Sequence, residues 1–134
     1  MRLSMLPRMD AAQALADLTE LSAQIDRAAI IGRDGDVVAS TFPDERRAQR
    51  FAEGARRLAD EANSVRESRG LPGLAQLEAA TLDGSVFLVR DGDRMIAATT
   101  RPDPTVGLVF YDLKHCLRSI DAQAAQTPAA GGST

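Results

Sequence analysis

The sequence predicts an α/β domain of the α+β kind in three layers, a five-stranded antiparallel sheet covered by helices on both faces. Three observations predict it. Five short runs, "RAAIIG", "DVVAST", "LAQLEAATL", "SVFLVR" and "RMIAATT", are rich in apolar and β-branched residues, and the pairs Asp34-Gly35, Asp83-Gly84 and Asp91-Gly92 separate them as hairpin signals. The runs are apolar at consecutive positions, as in "AAII", "VFLV" and "MIAA", whereas a sheet with one wet face would alternate. Three longer stretches carry apolar residues at helical spacing and supply the cover for both faces. The order is α-β-β-α-β-β-β-α.

The first helix is expected between Asp10 and Gln24, where Ala11, Leu15, Leu18 and Leu21 fall on one stripe with charges between them. The first hairpin follows. Pro43, Asp44 and Glu45 suit the first turn of a long helix, and Arg69, Gly70 and Pro72 mark its end, so it should run from about 44 to 69. A three-strand meander comes next. Asp103 as N-cap and Pro104 at the first helical position then open a last helix, with Val106, Phe110, Leu113, Leu117 and Ile120 on its stripe. Residues 1–9 read as a flexible segment and 10–121 as one domain. Residues 122–134 lack large apolar side chains and read as a disordered tail.

Composition narrows the function. With 134 residues, 44% hydrophobic, the chain is long enough for one real core and too short for two. A net charge of −3 and 4% aromatic residues argue against nucleic acid as a partner. The single cysteine, Cys116, allows neither an intramolecular disulfide nor a cysteine-based metal site, which makes the cytoplasm the default compartment. Pro7, Arg8 and Asp10 interrupt the opening stretch before a signal core or a membrane span can form, so neither targeting nor membrane insertion is expected.

Two stretches carry the tetrad Arg-Asp-Gly-Asp, at Arg33–Asp36 and Arg90–Asp93. A calcium loop counted from Asp34 places Asp36 third and Glu45 twelfth, but Val38 and Ala39 stand fifth and sixth; counted from Asp91, Pro102 is twelfth. The tetrads read as turns, and no metal is expected. His115 and Cys116 are neighbours on a helix, pointing about 100° apart, so they cannot form a dyad. No Gly-rich phosphate loop ending in Lys-Ser or Lys-Thr is present, and no cofactor is expected. The chain does not read as an enzyme.

The element order, together with "RAAIIGRDGDVVAS" and "LDGSVFLVRDGDRMIAATTRPDPTVGLVFYDLKHCL" around a long helix, resembles the Roadblock/dynein light chain family over roughly Asp10 to Ile120. The best-matching piece is Pro102-Asp103, then Gly107-Leu108, then Tyr111-Asp112-Leu113, with Asp112 where the family usually has glutamate. The resemblance implies a profilin-like/Roadblock-like fold and, as for bacterial members, a homodimer that binds a Ras-like small GTPase, some members activating hydrolysis and others acting as scaffolds.

Within the long helix, Ala48, Ala52, Ala55, Ala59 and Ala62 fall at spacings of four and three, and Phe51, Leu58 and Val65 repeat every seven residues beside them. This width fits either one broad face on the sheet or an added contact with a second copy. With the resemblance, Ala48, Phe51, Ala52, Ala55, Leu58, Ala59 and Ala62 are the expected dimer interface, and Gly54 a crossing point. Of the arginines Arg46, Arg47, Arg50, Arg56 and Arg57, those at 46, 50 and 57 are the partner-binding candidates, against the alternative of a solvated face; any effect on GTP hydrolysis would be exerted in trans. The competing reading is a PAS-like sensor holding a small ligand between sheet and helix, for which Thr81, Ser85 and Thr99 are the few polar candidates.

Overall fold

The computed structural model describes residues 10–73 and 75–120; the expectations for residues 1–9 and 122–134 lie outside the described residues. Helix α1 (Ala11–Leu21) starts where the Asp10 carboxylate accepts the Gln13 N–H at 2.8 Å, satisfying one of the donors a helix start leaves open. It buries Ala11, Ala14, Leu15 and Leu18. Leu21, expected on the same stripe, is instead 77% exposed, because the helix ends there and Ser22 takes the cap. Strands β1 (Ile25–Ile31) and β2 (Val37–Ser40) form the hairpin.

Helix α2 (Glu45–Ser68) begins with Asp44 accepting the Arg47 N–H at 2.8 Å. It ends with Gly70 at φ 71°, where Leu71 N–H reaches the Arg66 carbonyl at 2.9 Å and Gly70 N–H the Glu67 carbonyl at 3.0 Å, a Schellman closure that a left-handed glycine permits. Strands β3 (Gln76–Thr81), β4 (Gly84–Asp91) and β5 (Arg94–Thr100) form the meander. Helix α3 (Val106–Arg118) has its N-cap at Thr105, past the expected cap at Asp103 and past Pro104. Asp103 sits at φ 59° between two prolines, a left-handed conformation that an N-cap does not use, so the helix starts later.

The sheet is antiparallel throughout, in the order β2-β1-β5-β4-β3, so the hairpin joins the meander through β1 and β5, with Ala28 opposite Ala98 and Ile30 opposite Ile96. One face presents Ala28, Ile30, Phe87, Val89, Ile96 and Ala98 to α1 and α3. Phe87 meets Phe110 edge to face at 5.0 Å, a geometry that contributes about 0.5–1.5 kcal/mol beyond area burial. The other face presents Ile31, Leu88, Met95 and Ala97 to Ala52, Ala55 and Ala59 of α2. The alanines let the helix approach the sheet closely. This is the expected three-layer, two-covered-face α+β architecture.

The Asp-Gly pairs do three different things. Gly35 (φ 88°) closes the β1–β2 turn through its N–H to the Gly32 carbonyl at 2.9 Å. In the β4–β5 turn Gly92 (φ 66°) and Asp93 are the two loop residues, with Asp91 paired to Arg94. In the β3–β4 turn the loop residues are Leu82 and Asp83, and Gly84 (φ 152°) is already paired with Thr81. The two tetrads are tied together by an exposed ion pair, Arg33 to Asp93 at 3.0 Å.

Candidate interaction surface

A surface for a partner must be built from what the fold leaves uncovered. Of the expected dimer residues, Ala48, Ala52, Ala55 and Ala59 are buried within the single chain, the last three directly against the sheet. Their methyl groups are therefore used inside the fold. Phe51 and Leu58 are half-buried on the edge of that cluster, with Phe51 stacked at a tilt on Phe42 at 4.9 Å, and Ala62 is half-buried. Val65, one heptad beyond Leu58, is 58% exposed. Gly54 faces outward with nothing within 4 Å of where a Cβ would stand. The surface that α2 offers to another chain is thus the flank carrying Phe51, Leu58, Ala62 and Val65, while the alanine stripe faces the sheet.

The sheet continues this flank's chemistry. Leu77 of β3 and Val86 of β4 pack half-buried against the same cluster. Strand β3 is an edge of the sheet, and its outer residues Gln76, Ala80 and Thr81 are exposed. An uncovered edge presents unpaired backbone donors and acceptors, which suits pairing with another strand. The other edge, β2, is shorter at four residues.

The arginines divide. Arg47 pairs with Asp44 at 3.5 Å, and the Arg56 guanidinium lies over Gly35 of the β1–β2 turn. Arg46, Arg50 and Arg57 are exposed and pair with no carboxylate among the described residues. Spacings of four and seven place all three on one outer stripe of α2. They are free to meet an anionic surface.

His115 is exposed and stacks on Tyr111, whereas its neighbour Cys116 is buried. The Cys116 thiol is buried against the Ala14 carbonyl oxygen at 3.5 Å, and burial, with a smaller effect of Asp17, pushes it up to about 12. It is a core thiol held protonated, unsuited to nucleophilic work. The polar strand residues proposed for a ligand are otherwise engaged or outward: Thr81 donates to the Gly84 carbonyl at 2.8 Å, Ser85 to Glu78 Oε2 at 3.4 Å, and Thr99 is half-buried opposite Val86. Among the described residues no group of three or more His, Cys, Asp or Glu is arranged to hold a metal, and no helix is long and apolar enough to cross a membrane.

No protein-family model matches the sequence, and no curated protein sequence does. Solved structures do match. A Roadblock/LC7 domain from Streptomyces avermitilis superposes with a TM-score of 0.76 at 16% identity, covering 83% of this chain and 94% of that one. A second Roadblock/LC7 domain from that organism gives 0.62 at 26% identity, over 81% and 95%. MglB, a gliding protein from Thermus thermophilus, gives 0.71 at 15% identity over 87% and 88%, and an MglB seen in a tetrameric arrangement gives 0.72 at 15% identity over 87% and 88%. The resemblance in the sequence and the superposition of the described domain agree: the fold of this chain is that of a Roadblock/LC7 domain.

Proposed function

We propose that this chain is a non-catalytic, cytoplasmic interaction module that pairs with a second copy of itself through the α2 flank and the β3 edge, and that the paired helices present Arg46, Arg50 and Arg57 to a Ras-like small GTPase. The observation that carries the reading is the juxtaposition, on a Roadblock/LC7 fold, of an incompletely covered apolar flank (Leu58, Ala62, Val65) with arginines on the same helix that pair with no carboxylate among the described residues. The MglB with a tetrameric arrangement supports self-association for a chain of this fold. The GTPase partner follows from the family resemblance, and an acidic surface on it is what exposed guanidinium groups select. Whether hydrolysis changes depends on the partner's own site, to which this chain can add only a cation in trans.

The test pairs the chain with purified Ras-like GTPases. Arg46→Glu with Arg50→Glu should weaken binding mainly through slower association, an effect that rising salt reduces, while the dimer persists. Unchanged affinity in the charge-reversed dimer would place the partner site elsewhere.

A further inference from the structure

On the side of the sheet opposite α2, helices α1 and α3 run antiparallel: Cys116 meets the Ala14 carbonyl at 3.5 Å, while the Thr105 N–H, at the start of α3, donates to Gln24 Oε1 at 2.6 Å, just beyond the end of α1. Their inner stripes, with Leu15, Leu18, Val109, Leu113 and Leu117, are buried in the core. Outside them a groove remains. It contains a hollow of about 70 Å³ lined by Ala14, Leu18, Leu21 and Cys116 together with Asp17 and Asp112, room for the end of an aliphatic side chain. Leu21 is 77% exposed and, on α3, Leu108 is 49% and Tyr111 66% exposed. Tyr111 stacks on His115, with ring centroids 6.4 Å apart.

The groove is also acidic. Asp10, Asp17 and Glu20 recur at spacings of seven and three on one flank of α1, and Asp112 lines the α3 side. None of the four is paired with a cation among the described residues, and Asp17 accepts a neutral hydrogen bond from Gln13 at 3.1 Å. The cations of α3 do little to offset them. Lys114 lies about 200° round the helix from Asp112, and Arg118 stands at the end of α3, where α1 begins. Excess negative charge therefore remains at Asp17, Glu20 and Asp112.

The walls also restrict the form of an occupant. Both are helices whose peptide groups bond within themselves, so they offer no ladder to an added strand, and the occupant must satisfy its own backbone. A helix does so, and it docks in a groove through side chains at i, i+3, i+4 and i+7. With 11 residues, α1 is about 17 Å long, enough for three turns of such a helix. A second copy of this chain is a poor match. Its α2 has Arg46, Arg50 and Arg57 on the outer stripe, with Glu53 and Gly54 between them and no large apolar side chain, and the apolar flank of α2 is the one assigned above to self-association. We propose that the α1–α3 groove receives a basic amphipathic helix of another protein, its aliphatic side chains over Leu21, Leu108 and Tyr111 and its Lys or Arg side chains against Asp17, Glu20 and Asp112. This face is separated from α2 by the sheet, so the chain can join two partners at once.

Tyr111 is the one tyrosine in the sequence, and there is no tryptophan, so the intrinsic fluorescence of the protein reports on this groove alone. The probe is a synthetic helical peptide of leucine and lysine, about 18 residues long, with leucine at i, i+3, i+4 and i+7 and no aromatic residue to interfere. Two control peptides carry glutamate in place of lysine or alanine in place of leucine. The leucine–lysine peptide should shield Tyr111 from acrylamide several-fold, and neither control should. Leu21→Asp/Leu108→Asp and Asp17→Lys/Asp112→Lys, each checked by circular dichroism, should each weaken binding of this peptide at least tenfold, whereas Val65→Glu on α2 should leave it unchanged. Absence of shielding, equal shielding by the glutamate peptide, or full binding by the groove variants would overturn the proposal. Shielding present without peptide and lost on dilution would assign the groove to a second copy and overturn it too.

Discussion

Replacing glycine by alanine should have opposite effects at two positions of this chain. At Gly84 an added Cβ runs into the Thr100 carbonyl oxygen, and φ is 152°, where side chains are strained. The obstacle is the backbone of the neighbouring central strand, β5, which pairs with both β1 and β4 and cannot withdraw without disturbing two ladders. Overpacking of this kind costs about 1–3 kcal/mol, and a sparsely populated backbone conformation costs about 1–3 kcal/mol more. Taking about 3 kcal/mol together, and about 4 °C per kcal/mol for a domain of this size, Gly84→Ala should lower Tm by about 12 °C. Gly54 stands in α2 with nothing within 4 Å. There alanine removes the helix cost of glycine and should raise stability by about 0.5–1 kcal/mol. The assay is thermal unfolding of both variants by circular dichroism, with urea denaturation as a check on the m-value. A Gly84→Ala protein melting with the wild type would refute the close approach of β4 and β5 at this point. If two copies cross at Gly54, the same alanine should weaken the dimer while stabilising each chain.

Other substitutions and conditions test particular parts of the account. Cys116 has its thiol raised from 9.0 to about 12, so the folded chain keeps a proton that the unfolded chain loses; stability should fall between about pH 9 and 12, and Cys116→Ala should flatten that decline in a pH series of melting curves. Disulfide reagents at neutral pH should label Cys116 only as fast as the chain opens. The Ser22 hydroxyl is buried with no hydrogen-bond partner among the described residues, so Ser22→Ala should be neutral or stabilising by up to about 1 kcal/mol in urea unfolding, and a clear loss would reveal a partner for it.

Much of the fold was legible because its signals are local. Asp10 and Asp44 cap helices where the sequence placed helix starts, and Gly70 closes α2 as a residue able to adopt φ 71° should. Consecutive apolar positions in β1, β4 and β5 announced burial on both faces. The sequence is less legible where a residue's meaning depends on distant chain. A helical wheel shows that Ala52, Ala55 and Ala59 share a face, yet it does not say what covers that face, and within the single chain the sheet formed by strands on both sides of α2 in sequence does so. Leu21 fits the α1 stripe by spacing, but the helix stops at its position and leaves the side chain outside the core. Asp103 has the right type for an N-cap, but its backbone is left-handed at φ 59° and the helix starts after Thr105 instead. Leu108, Tyr111 and His115, the rim of the α1–α3 groove, form a second stripe at spacings of three and four, which the stronger core stripe of Val109, Leu113 and Leu117 masks in the sequence.

Self-association through the outer flank of α2 is the claim on which the proposed function depends, and Val65 isolates it, being 58% exposed on that flank where a charge should leave the fold intact. The direct measurement is the mass in solution by light scattering, at about ten micromolar, a usual assay range for a dimer governed by mass action. The unsubstituted chain should have twice the 14.3 kDa mass of the single chain, and Val65→Glu should shift it toward that single mass with an unchanged circular dichroism spectrum. A monomeric unsubstituted chain, or a Val65→Glu variant as fully dimeric as the parent, would contradict it.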